Sequence, residues 1–131
     1  MAAAEDYPEG LKYHAEHDWA RIEGDEATLG VTWFAKDALG ELVHFEAPAD
    51  GGSTSKDASY GEVESVKAVS DVIAPLSGEV LEVKEKAVDE PETINEAPYG
   101  EGWLVRIRVA DPAEVDALLD PDAYRAHIAE Q

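Results

Sequence analysis

The stretch from Tyr60 to Pro75, YGEVESVKAVSDVIAP, constrains this chain more than any other. Lys67 stands at its centre and is the only lysine between Lys56 and Lys84. Small or β-branched residues surround it, with Gly61 on one side and Pro75 and Gly78 on the other. Val63, Val66, Val69 and Ile73 recur at roughly helical spacing, which fits one face of a helix. The valines, isoleucine and serines instead favour strands. On that second reading a strand leads into a tight turn carrying Lys67, and a second strand returns. Periodicity leaves both readings open.

The flanking sequence reads as further short strands. Trp19 to Glu23 alternates apolar and charged residues, Gly24-Asp25 is a turn, and Ala27 to Thr32 returns. Thr32 is placed to cap a short helix through Leu39, closed by Gly40. Glu41 to Glu46 alternates again, and Pro48 to Ser55 is a loop. Glu79 to Val83 is a strand, Lys84 to Glu90 is polar, and Glu92 to Glu96 has room for one helical turn. Trp103 to Val109 is a strand with Arg106 and Arg108 on one face and Val105, Ile107 and Val109 on the other. Asp111-Pro112 and Asp120-Pro121 each place an acceptor at an N-cap and a proline at the first helical position. The first of these helices should turn Val115, Leu118 and Leu119 inward, the second Tyr124 and Ile128. The order argues for a mostly β chain, a β-sandwich or flattened barrel with short helices and helices at the C-terminal end. Residues 1–10 are expected as a flexible tail and 11–131 as a single domain, a size able to bury a core.

Composition removes several classes of function. The 131 residues include no cysteine, so disulfides, thiolate metal sites and a cysteine nucleophile are excluded. The four histidines, His14, His17, His44 and His127, lack metal spacing and read as structural or surface residues. No apolar run reaches the ~20 residues of a membrane span. The acidic N-terminus lacks a signal peptide's basic start and apolar core, so the cytoplasm is the expected compartment. Thirty acidic against ten basic residues give a formal net charge of −20, which disfavours nucleic acid and anionic membranes as partners. The acids are dispersed. They suit a solubilising surface, as in a salty cytosol, and equally electrostatic docking to basic enzymes.

The identities of the residues go further. Glu64-Ser65-Val66-Lys67-Ala68, then Ser70-Asp71, then Pro75 and Gly78-Glu79-Val80, resemble the lipoyl-attachment hairpin of the glycine cleavage system H protein family. Four more blocks match at family-like spacing: Leu11-Lys12-Tyr13 with His17-Asp18-Trp19; Leu29-Gly30-Val31-Thr32; Ala38-Leu39-Gly40-Glu41; and Ile94-Asn95-Glu96 through Trp103. The resemblance runs from about Leu11 to Ile128.

The resemblance implies a lipoyl/biotinyl-type sandwich of two antiparallel sheets with peripheral helices. It implies that Lys67 carries lipoic acid in amide linkage, as N6-lipoyllysine, presented by Glu64, Ser65, Val66 and Ala68. It implies a carrier without catalytic residues of its own. Its partners would be glycine decarboxylase (P protein), aminomethyltransferase (T protein), dihydrolipoamide dehydrogenase (L protein), and a lipoate ligase or lipoyl transferase. The aminomethyl group of glycine passes from the first to the second, and electrons to the third. The family's pocket for the loaded arm maps onto Glu16, Asp18 and Asp71, carboxylates suited to a cationic amine. Glu16 is longer than the small polar residue common there. Trp33 and Phe34 depart from an acidic residue followed by Tyr or His, and they fit either the cleft or the core. A biotin carrier would flank its lysine with methionines, and the single methionine here is Met1. A 2-oxoacid dehydrogenase lipoyl domain would bring Ala/Pro linkers. A lipoate relay protein, passing lipoyl groups to other complexes, would share this sequence pattern, and an unmodified sandwich used for protein contacts is a further class.

Overall fold

The computed structural model describes residues 10–48 and 52–129. In chain order the elements are β1 (Lys12–Tyr13), β2 (Asp18–Glu23), β3 (Glu26–Val31), α1 (Trp33–Leu39), β4 (Leu42–Glu46), β5 (Ser53–Thr54), β6 (Ser59–Ser65) and β7 (Val69–Ile73). They continue with β8 (Gly78–Val83), α2 (Glu85–Asp89), α3 (Glu92–Glu96), β9 (Val105–Val109), a 3₁₀ helix (Pro112–Ala117) and α4 (Pro121–Ala129). Apart from Gly10, the expected N-terminal tail falls outside the described residues.

Two antiparallel sheets form, one of six strands in the order β1-β2-β3-β9-β8-β5 and one of three in the order β4-β6-β7. The main core lies between them. Ala20, Leu29, Val80 and Ile107 from the large sheet meet Leu42, Phe45, Val63 and Val72 from the small one. A second cluster covers the other face of the large sheet, built on Leu11, Tyr13, Trp19, Tyr99 and Tyr124. Gly30, opposite Trp19 in register, makes that cluster possible, since a Cβ there would stand 2.6 Å from the indole ring.

The solvent face of the large sheet neutralises itself. Arg106 bonds Glu26 at 2.6 Å and Glu82 at 3.0 Å, and Arg108 reaches Glu79 at 3.4 Å, all along the β3-β9-β8 ladder. These carboxylates, Glu82 before Glu26, hold the Arg106 guanidinium above its ordinary pKa. The small sheet does the opposite. Glu46, Glu62 and Asp71 stand in one cross-strand row, all exposed, and like charges directly opposite destabilise a sheet.

Three expectations change. Pro48 to Ser55, read as a loop, pairs Ser53 and Thr54 with β8 as β5, and residues 49–51 of it lie outside the described residues. Lys84 to Glu90, read only as polar, winds into α2 and buries Ala87. The first C-terminal helix is 3₁₀ and stops at Ala117, although Asp111 caps it as expected by accepting from the Ala113 N–H at 3.0 Å. Leu118 turns extended, and Leu119 is drawn into a bridge with Tyr13, with two N–H···O bonds of 2.8 Å. Asp120 precedes a proline and so resists helical angles, and the extended Leu118 and bridged Leu119 end the helix before it. The apolar stripe therefore divides: Val115 and Leu118 pack on the main core, Leu119 on the second cluster.

Candidate functional site

The hairpin reading of Tyr60 to Pro75 is the one that forms. β6 and β7 pair from Ser59↔Ile73 to Glu64↔Val69, leaving Val66, Lys67 and Ala68 at the tip. Ser65 builds the turn: its N–H donates to the Ala68 carbonyl at 2.8 Å, and its Oγ accepts from the N–H groups of Ala68 at 3.1 Å and Lys67 at 3.3 Å. A hydroxyl at this position thus replaces ladder bonds that the turn residues cannot make. Val66 is 79% exposed and Val69 58%, which no buried helical face would allow. Glu64 and Ala68 are exposed too, while Ser65 is buried.

The Lys67 side chain is exposed, and no ion pair or side-chain hydrogen bond engages its ammonium among the described residues. Its Cε lies over Gly40, which ends α1 at φ 93°. A Cβ on Gly40 would come within 3.4 Å of that carbon. Glycine therefore serves twice here, supplying a left-handed cap and a bare shoulder under the lysine.

Beside that shoulder opens a cleft of about 200 Å³ between α1, the loop before β2, and β7. Its wall is apolar, formed by Phe34, Ala35, Ala38 and Leu39, and its other end is acidic, with Glu16, Asp18 and Asp71. The three acids predicted from sequence thus border one cleft, in different states. Glu16 is exposed on the rim, and its N–H donates to His14 Nδ1 at 2.9 Å. Asp71 is exposed and accepts from Ser59 Oγ at 3.3 Å. Asp18 is only 1% exposed, and the Tyr60 hydroxyl donates to its Oδ2 at 2.8 Å. Burial pushes the Asp18 carboxyl well above the usual carboxylate range, and the Tyr60 hydrogen bond offsets part of that shift. Burial and the neighbouring carboxylate raise the Tyr60 phenol in turn.

The aromatic pair divides. Phe34 lines the cleft, whereas Trp33 packs on the second cluster and donates its backbone N–H to Tyr99 Oη at 2.9 Å. His17, at φ 80°, packs on Phe34 with ring centroids 4.6 Å apart and the rings tilted by 40°. Its Nδ1 shares a 2.8 Å hydrogen bond with Tyr124 Oη, which also meets Thr32 Oγ1 at 2.8 Å. Thr32 in turn caps α1 by accepting from the Ala35 N–H at 3.3 Å. His14 is buried and structural: because Glu16 N–H occupies Nδ1, Nε2 carries the proton and donates to Asp57 at 2.6 Å. That bond holds the Asp57 carboxyl below its ordinary value. The reading of sequence had no place for Tyr60, whose only signal was a phenol at an inward position of β6.

The glycine cleavage H-protein family profile matches residues 11–131. The chain belongs to this family. Its members include the glycine cleavage system H protein of Anaeromyxobacter sp. (strain K), 48% identical over 124 residues that cover 95% of this chain and 97% of that one. A protein named probable glycine cleavage system H protein, from Haloarcula marismortui, is 48% identical over 123 residues, covering 94% and 97%. The crystal structure of a glycine cleavage system H protein from Mycobacterium marinum superposes with a TM-score of 0.86 at 41% identity, covering 93% of this chain and 98% of that one. The expected family and sandwich are therefore borne out. Among the described residues no helix is long and apolar enough to cross a membrane, and no group of three or more His, Cys, Asp or Glu side chains could hold a metal ion.

Proposed function

We propose that this chain is the lipoyl-lysine carrier of a glycine cleavage system, with residues 11–131 as the carrier domain and Lys67 as the attachment point. The observation that carries this reading is the placement of an exposed, unpaired lysine on a hydrogen-bonded hairpin tip, over the bare shoulder of Gly40, beside a cleft with an acidic end. These residues fit lipoic acid. The amine is accessible for acylation, the apolar wall of α1 suits an alkyl chain, and the carboxylates suit an ammonium cargo. The dithiolane, when bound, supplies thiol–disulfide chemistry that a chain without cysteine lacks.

The chain's own residues present and shelter. Ser65 fixes the direction in which Lys67 leaves the turn, and the paired strands behind it give a rigid base. Phe34, Ala38 and Leu39 exclude water along one side of the cleft, and Glu16, Asp18 and Asp71 attract a cation at its end. Bond making and breaking belong to the partners: glycine decarboxylase, aminomethyltransferase and dihydrolipoamide dehydrogenase, with a lipoate ligase or transferase installing the group. A relay that only hands lipoyl groups onward has no need of an acid-ended cleft, so the cleft favours the carrier.

Co-expression with a lipoate ligase, followed by intact-mass measurement and peptide mapping, tests the assignment. One lipoyl increment on the Lys67 peptide is expected; an increment on another lysine overturns it. Lys67→Arg should fold with an unchanged melting midpoint, gain no increment and support no glycine cleavage when the partner enzymes are added.

A further inference from the structure

We propose that the Tyr60 hydroxyl is a positioning group for the cleft, fixing the Asp18 carboxylate so that its remaining lone pairs face an ammonium cargo. This rests on the carrier reading above. Asp18 begins β2 in the large sheet, and Tyr60 lies near the start of β6 in the small one. Their 2.8 Å hydrogen bond therefore joins the two sheets behind Asp18, which lines the cleft while Tyr60 does not. Both partners are buried, Asp18 to 1% exposure and Tyr60 to 6%. A phenol in the core needs a polar partner, and many would serve. What singles this one out is the other side of the bond. A buried carboxylate is costly unless hydrogen-bonded and paired with a cation. Tyr60 supplies the hydrogen bond, but no lysine or arginine lines the cleft.

The groups around Asp18 do not supply the cation either. Its own loop brings Glu16, His17 and His14, the last donating its backbone N–H to the Asp18 carbonyl at 2.8 Å. β7 brings Asp71, and α1 brings only Phe34, Ala35, Ala38 and Leu39. Two further acids thus face the cleft, so a cationic cargo would meet three carboxyl groups there and no lysine or arginine competing for them. A carboxylate has about four lone-pair sites, and Tyr60 occupies one. With that site fixed, side-chain rotation is restricted, and the remaining sites keep one direction. Glu16 and Asp71, both exposed, have no such anchor in the core.

The rival reading is that Tyr60 only fills the core, and Tyr60→Phe separates the two because it keeps the ring and removes the donor. In the unlipoylated protein, the Asp18 side-chain carboxyl can be followed by carbon NMR through a pH titration, assigned with Asp18→Asn. The Tyr60 bond favours the ionised form, so its loss should raise the Asp18 midpoint by about one pH unit. In the lipoylated protein, charged with glycine by the decarboxylase, Tyr60→Phe should release ammonium and formaldehyde to water several-fold faster than wild type. Asp18→Asn should do the same, and the double variant should be no faster than the single ones, because Tyr60 acts through Asp18. An unmoved Asp18 midpoint, an unchanged release rate, or additive effects in the double variant each overturn the proposal. A wild-type chain that takes no lipoyl group overturns the carrier reading instead, and with it the role toward cargo. The titration then still decides whether Tyr60 orients Asp18.

Discussion

At the residue scale, Asp18 is the buried acid of the cleft. Its carboxyl has lost water, and burial raises its pKa well above the ~3.9 of an unfolded aspartate. From that unfolded value up to the raised folded one, the unfolded chain gives up this proton while the folded chain keeps it. The stabilising contribution is therefore complete below the unfolded pKa and is lost as pH rises through the folded one. Asp18→Asn keeps an acceptor for Tyr60 and removes the titration. It should raise the melting midpoint clearly at pH 8 and hardly at pH 4. An equal gap at both pH values would mean that Asp18 ionises freely. At this scale the sequence was legible in part. Lys67 and the three acids could be named from motif blocks, but nothing in a string of residues says which acid is buried. Glu16, Asp18 and Asp71 look alike until β2, β6 and β7 are assembled, and burial comes from that assembly.

Among the elements, those with chemical punctuation were readable. Thr32 and Gly40 bracket α1 as expected, Gly24-Asp25 turns β2 into β3 with Gly24 at φ 65°, and Arg106 and Arg108 alternate with Val105 and Ile107 along β9. The hairpin around Lys67 was not settled by periodicity, because four apolar residues at helical spacing also fit two strands and a tip. What decided it was pairing with β4, a contact made at a distance in sequence. β1 and β5, two residues each, carry too little pattern to be read alone, and β1 exists through its partners β2 and Leu119. The long-range contacts of α4 were equally hidden. Its Tyr124 stacks on Tyr13 with centroids 4.8 Å apart and bonds both His17 and Thr32. Tyr124→Phe should keep the stack and lower stability by about 1–3 kcal/mol, the usual cost of stranding buried polar partners. Urea unfolding measures this, and hydrogen exchange should quicken first at the capped turn of α1. A variant as stable as wild type would show that water replaces the hydroxyl.

For the whole molecule, charge matters most. The net charge of −20 is unevenly managed, since the large sheet pairs its outer acids with Arg106 and Arg108 while the small sheet leaves Glu46, Glu62 and Asp71 in an unpaired row. The Debye length falls from ~10 Å at 0.1 M to ~3 Å at 1 M salt, so this repulsion is screened over that range. The melting midpoint should rise with NaCl up to ~1 M, and glycine-cleavage turnover should fall if partners dock on basic surfaces. Glu62→Lys puts a cation between two acids and should add up to about 1 kcal/mol in low salt, with a smaller gain in high salt. A midpoint indifferent to salt would mean the acids are too dispersed to repel.

The bonds of Tyr124 also set an order in time. A ribosome makes the Lys67 hairpin and α1 well before residue 124. Until then His17 and the Thr32 cap lack the hydroxyl that ties them together. A nascent chain therefore displays Lys67 before Tyr124 can tie His17 to the α1 cap, and stalling synthesis short of α4 would leave that tie unmade.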